Sequence, residues 1–313
     1  MRGLRLLPQQ PNLDFIGKRK IFFAFSTLLV LGALLLYAMQ GLNLGIDFKG
    51  GILIEIKTDG PADIAKLRSD VGSLGIGDVS LQEFGAVDEV LIRVQRQDGG
   101  EEAQQEAITQ VRAVLGGDVE YRRIEAVGPA VSAELFEAGL YAVTFALLAM
   151  MAYIWFRFEW QFGLGAVIAL FHDVISTVGL FSVLQMEFNL STVAAILTIA
   201  GYSINDTVVV FDRVRENLRR YKKMPLPEVF NKSINETLSR TLMTSLTTLI
   251  ALLALYILGG EVIRGFSFAM IWGILIGTYS SICLAVPLML YLKIQRRSGS
   301  EQATEADSAE KTA

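Results

Sequence analysis

A chain of 313 residues that is 52% hydrophobic, with a mean hydropathy of +0.44, lies outside the ordinary soluble range and points to a bilayer. One histidine and one cysteine exclude a multi-histidine metal site and an intramolecular disulfide, and no C-x-x-C, H-x-x-x-H, Walker or G-x-S-x-G pattern is present, so no enzymatic chemistry and no cofactor are expected. The formal net charge of −4 is unevenly distributed, and its distribution orients the chain.

Residues 1–20 hold Arg2, Arg5, Lys18, Arg19 and Lys20 against one acid and read as a cytoplasmic N-terminus. The uncharged run Ile21–Met39 follows, with 19 residues. It is longer than a usual signal-peptide core and lacks a small-x-small cleavage site, so it reads as an uncleaved first span (21–39).

Residues 40–136 carry nine Lys and Arg against seventeen Asp and Glu and belong on the extracytoplasmic side. Their pattern is an apolar run at Gly51–Lys57, a helical stretch at Pro61–Leu74, runs at Asp78–Phe84 and Glu89–Val94, a second helical stretch at Glu101–Leu115, and a last run at Val119–Ile124. That order, βαββαβ, predicts an α+β ferredoxin-like domain between the first and second transmembrane helices. Ile52, Ile54 and Ile56 alternate with Leu53, Glu55 and Lys57, while Ile64, Leu67 and Val71 keep helical spacing.

Five more spans are expected within 137–292. Ala138–Phe156, Thr241–Leu258 and Gly265–Leu292 are uncharged; Phe162–Met186 and Phe188–Phe211 have spanning length but enclose His172, Asp173 and Asp206. The loop 212–240 holds eight Lys and Arg against four acids, and Lys293, Arg296 and Arg297 follow the last span, so both belong with the N-terminus on the cytoplasmic side. The fold class is thus a polytopic α-helical membrane protein with six spans. The tail 293–313, rich in Ser, Glu, Ala and Thr from Ser298 onward, is expected to be disordered.

An ionisable group inside a span costs several kcal/mol in order of magnitude and needs a partner, water or a task. Asp206 lies about five residues, roughly 7.5 Å, before the cytoplasmic end of the fourth span. Tyr202, Ser203, Asn205 and Thr207 make its surroundings polar, as a hydrated proton-exchanging pocket requires; a carboxylate fixed by one permanent hydrogen bond is the alternative. Arg240 opens the fifth span and reaches the depth of Asp206 if the two helices are neighbours, forming a proton relay; the alternative is an arginine snorkelling to lipid phosphate. His172 and Asp173 point about 100° apart on the third span and are expected to face different partners, with support of the relay, or structural hydrogen bonding, open to each.

Ala269, Gly273, Gly277 and Ser281 recur every four residues as a helix-packing stripe, either within the chain or against a partner subunit. The basic stretch Arg213–Lys223 is explained by topology and membrane lipids, and no nucleic-acid partner is expected. Cys283 reads as a small packing residue.

The segments Gly41–Gly51, Phe171–Val174, Gly201–Asn217 and Gly259–Ser267, in this order along nearly the whole chain, resemble the motifs of the SecF family, within the resistance-nodulation-division superfamily. The resemblance implies a bacterial inner-membrane subunit that pairs with SecD, assists the SecYEG channel and uses the proton-motive force to act on exported polypeptide. It also places Asp206 and Arg240 at the family's proton-transport positions. A proton-driven exporter of small molecules or lipids from the same superfamily, and a purely structural translocon subunit, are the rival readings.

Overall fold

The computed structural model describes residues 11–117, 119–292 and 294. The tail expected to be disordered, from Ser298, and the first ten residues lie outside the described residues.

In chain order, α1 (Arg19–Gln40) leads through a two-residue strand, β1 (Asn43–Leu44), and a single helical turn, α2 (Ile46–Lys49), into β2 (Gly51–Thr58). The α+β domain continues with α3 (Ile64–Gly72), β3 (Val79–Phe84), β4 (Ala86–Val94), α4 (Gly100–Leu115) and β5 (Val119–Val127). Its four strands lie in the order β3-β4-β2-β5 and every pairing is antiparallel. Ile52, Ile54 and Ile56 all face one side of β2 because side chains alternate along a strand, and they pack with Val90, Ile92, Val71, Ala107, Ile108 and Val111 of the strands and the two helices. The opposite side of the sheet is also buried at its centre: Leu53 and Leu91 cluster with Ile46 of α2.

Gly50 and Gly51 take φ values of 72° and 124°, in the region that favours glycine. At Gly51 a Cβ would also come within 2.7 Å of the Val94 carbonyl oxygen, so the entry into β2 is both left-handed and tight.

Beyond the sheet come α5 (Pro129–Arg157), α6 (Trp160–Leu184), a second two-residue strand, β6 (Glu187–Phe188), α7 (Leu190–Arg220), α8 (Leu226–Leu258) and α9 (Glu261–Ser280). The last span continues through a π-helical turn, Ser281–Ala285, a short α10 (Val286–Leu288) and a 3₁₀ turn, Met289–Tyr291. Pro287 lies just past the π-turn; its missing N–H and its ring remove the regular bond to the residue four places back, and widening the helix by one residue relieves the conflict. The sixth span thus runs its expected length, Ile263–Tyr291, with a π-turn inside it. Phe188, expected in the fourth span, is in β6, which pairs in parallel with β1 (Asn43 with Glu187, Leu44 with Phe188).

Among the described residues, six helices are long and apolar enough to cross a membrane. The windows of α6, α7 and the last span are 50%, 56% and 78% buried, whereas those of α1, α5 and α8 are 17% buried or less. The first three form the centre of the bundle and the others its periphery. Close approach of helices depends on small residues: a Cβ on Gly179 of α6 would sit 2.2 Å from that of Ala33 in α1.

Candidate functional site

The polar groups predicted inside the spans converge where α6, α7, the base of α9 and the start of α8's apolar half meet. Asp173 on α6 is fully buried, 0% exposed. Its Oδ2 accepts hydrogen bonds from Ser203 Oγ of α7 at 2.5 Å and Ser280 Oγ of α9 at 2.7 Å, and its Oδ1 is bonded to His172 Nδ1 at 2.9 Å. Adjacent residues on a helix leave in different directions, so His172 and Asp173 were expected to face separate partners. Instead the two side chains bend toward each other and bond. The His172 ring lies 6.1 Å from that of Tyr279, whose hydroxyl donates to the Phe22 carbonyl at 2.8 Å and is 3.0 Å from Ser26 Oγ on α1.

Asp206 lies one turn after Ser203 on α7 and is 7% exposed. The hydroxyls of Thr241 on α8 and Ser281 in the π-turn lie alongside its carboxyl, and the Arg240 charge is within electrostatic reach. Arg240 itself is on an exposed face of α8, and among the described residues the pair forms no ion pair. Asp206 Oδ2 and Thr241 Oγ1 are both buried with no hydrogen-bond partner. Ser281 Oγ is engaged with Thr207 Oγ1 at 2.8 Å and donates to the Gly277 carbonyl at 2.9 Å.

The two buried aspartates therefore differ in kind. Asp173 has side-chain partners on three elements, the provision that a permanently buried polar group needs. Asp206 has one oxygen without a donor, and a proton placed on that oxygen turns it into a donor with Thr241 Oγ1 available to accept. Asp206 is thus the less fully paired of the two buried carboxyls, and Asp173 ties three helices together.

Asn205, read as possible support for the relay, lies on the exposed side of α7, 100° around from Asp206. The small-residue stripe is internal: Ala269 is buried against α7, a Cβ on Gly273 would meet Ile199 at 2.2 Å, one on Gly277 would come 3.3 Å from the Ser203 Cβ, and Ser281 bonds Thr207. Glycines here let α9 carry Ser280 and Ser281 into the polar cluster. Cys283 is a buried free thiol in the π-turn.

Just beyond the apolar part of α7 and α8, Glu236 receives Arg213 Nε at 2.6 Å and Asn217 Nδ2 at 2.7 Å, and Lys232 lies 3.3 Å away. Burial works to raise the Glu236 carboxyl's pKa, but these donors outweigh it and hold it below the usual carboxylate range. The tie fixes α7 against α8 one turn before Arg240. At the opposite end of α7, Leu190 N donates to Asp47 Oδ2 at 2.9 Å, and Glu187 forms a 2.5 Å salt bridge with Arg93 of β4. Neither end was visible in the sequence, although Arg213 and Asn217 at i and i+4 were the available signal for the first.

This architecture coincides with described families. Residues 107–295 match the family described as protein export membrane protein SecD/SecF, C-terminal, and residues 38–62 match the SecD/SecF GG motif, which contains Asp47, Gly50 and Gly51. The chain belongs to the SecD/SecF family. It is 46% identical over 293 residues to the protein translocase subunit SecF of Rickettsia rickettsii (strain Sheila Smith), covering 91% of this chain and 94% of that relative. It is 47% identical over 302 residues to SecF of Cereibacter sphaeroides, with 94% and 93% covered. The crystal structure of SecDF, a translocon-associated membrane protein from Thermus thermophilus, superposes with a TM-score of 0.83 at 35% identity over 92% of this chain and 40% of that one. The chain thus spans two-fifths of the solved SecDF polypeptide and nearly all of its SecF relatives.

Proposed function

We propose that this chain is the SecF-type half of a complex with SecD in the bacterial inner membrane, which uses the proton-motive force to promote export of polypeptides through SecYEG. Both termini and the 212–240 segment are cytoplasmic, as the Lys and Arg next to the spans on that side support, and residues 51–127 form a ferredoxin-like domain on the outer side, supported by the strand order β3-β4-β2-β5. The subunit makes and breaks no covalent bonds and needs no cofactor beyond the proton gradient.

The observation that carries the reading is the state of Asp206: buried within a spanning helix, without an ion pair, one oxygen lacking a donor, beside Arg240 and two hydroxyls on separate helices. Proton arrival at Asp206 removes its attraction to Arg240 and makes it a donor to Thr241, so the α7–α8 contact has two arrangements that the gradient selects between. His172 and Asp173 act as the fixed floor of this site, and Asn205, on the exposed face of α7, lies away from it.

Export of a secretory precursor into vesicles containing SecD and this chain, measured with and without a proton gradient, tests the reading. Asp206→Asn is expected to abolish the gradient-dependent part of export while the complex still assembles. Full stimulation with Asp206→Asn would leave a purely structural translocon subunit as the better reading.

A further inference from the structure

The outer domain and the helical bundle are separated over part of their facing surfaces by a cavity of about 460 Å³. At its wall three side chains join them. Asp47, in the single turn α2, accepts from the backbone N–H of Leu190, the first residue of α7, at 2.9 Å. Glu187, three residues before α7, holds Arg93 of β4 at 2.5 Å, with both side chains less than a quarter exposed. Between them the β1–β6 pairing is extended by Gly45 N donating to the Phe188 carbonyl at 2.9 Å. A Cβ on Gly45 would lie 2.6 Å from Glu187 Oε1, so a larger residue there would displace the Glu187 side chain.

We propose that Asp47, Glu187 and Arg93 are positioning residues that transmit movement of α7 to the outer sheet. The inference rests on the proton-coupled reading given above. Asp206 is sixteen residues into α7, about 24 Å from its outer end, and α7 is a continuous helix throughout. A displacement at Asp206 therefore arrives at Leu190. There the Asp47 carboxylate bonds an N–H with no partner inside the helix and complements the positive end of the helix dipole. Asp47 is only four residues from β2, an inner strand of the sheet, and Arg93 projects from β4, its neighbour, where it is paired with Leu53 of β2. The α7 end thus pulls on two adjacent inner strands and not on a flexible edge.

The test uses the assembled complex in vesicles and measures three quantities: gradient-dependent export, gradient-independent export and proton entry. Asp47→Ala, Arg93→Glu and Glu187→Arg should each lose most of the gradient-dependent increment while proton entry and gradient-independent export stay at the parent level. Asp47→Asn, which keeps an acceptor oxygen, and the exchanged pair Arg93→Glu with Glu187→Arg should recover it. The link is wrong if the three single variants retain the full increment, or if the exchanged pair is as defective as its parents. Asp206→Asn run alongside separates the two ideas: an unchanged increment in that variant removes the proton reading itself, whereas a lost increment there with intact Asp47 and Glu187 variants removes only the link.

Discussion

Asp173 and Ser203 join α6 to α7 through a 2.5 Å hydrogen bond at a position where both residues are buried. The same carboxyl oxygen accepts from Ser280, so one atom secures three helices. Removing the acceptor strands His172 Nδ1 and Ser203 Oγ in a low-dielectric interior, while Ser280 keeps its bond to the Gly277 carbonyl, and stranding costs more than the bonds themselves contributed. Asp173→Ala should therefore destabilise the detergent-solubilised protein by about 3–5 kcal/mol, read as a lower thermal unfolding midpoint. Ser203→Ala, which deletes one of three donors, should cost about 1–2 kcal/mol. Equal effects would contradict the hub assignment.

The α7–α9 contact ranks its glycines. At Gly273 an added Cβ meets Ile199 at 2.2 Å, while at Gly277 the first contact is 3.3 Å, with Ser203. Gly273→Ala should cost about 1–3 kcal/mol through overpacking and Gly277→Ala less. Adding Ile199→Ala to Gly273→Ala should recover part of the loss, because the three nearest atoms to the added Cβ all belong to that side chain. Thermal unfolding of the three variants decides the order.

Glu236 supplies a prediction with a defined pH sign. Its folded carboxyl titrates below the usual range because Asn217, Arg213 and Lys232 outweigh its burial. Stability from this tie is then fully present above the unfolded carboxyl value of about 4.3 and is lost as pH falls through the lower folded value. Glu236→Gln should lower the unfolding midpoint at pH 7, by an amount equivalent to about 2 kcal/mol, and the gap from the parent should close as pH falls below about 4. A gap that widened on acidification would reverse the assignment.

Thr241 tests the switchable carboxyl without touching it. Thr241→Val removes the only hydroxyl of α8 that lies alongside Asp206 and leaves its shape nearly unchanged. It should reduce gradient-dependent export while costing no more than one hydrogen bond, about 1 kcal/mol, in thermal stability. Arg240→Gln should impair the same increment more severely than Arg240→Lys, because only the latter keeps the charge.

Local pattern carried a good deal of this in advance. Four of the six spans were legible as uncharged apolar runs, the alternation of Ile52, Ile54 and Ile56 as a strand with one face in a core, and Asp206 as a carboxyl in a polar interruption of an apolar helix. What escaped was nonlocal. Asp173 finds Ser203 and Ser280 at sequence separations of 30 and 107, and Leu190 is capped by a residue 143 positions earlier. The strands β1 and β6 have two residues each, too few for any periodicity to register. Asn205 shows the opposite limit: a polar residue beside a key carboxyl in sequence projects from another side of the helix, and sequence proximity overstated its connection to the site.

The π-turn at Ser281–Ala285 gives the last span unequal mechanical halves. Above it, α9 is keyed to α7 through Gly273 and Gly277; below it, Val286 and Met289 are seated in the large core cluster with Phe162 and Phe211. A widened turn is the most compliant point in a helix, and here it coincides with Ser281, beside Asp206. Any local adjustment beside the carboxyl would be taken up at this turn, leaving the lower half of the span seated against Phe162 and Phe211.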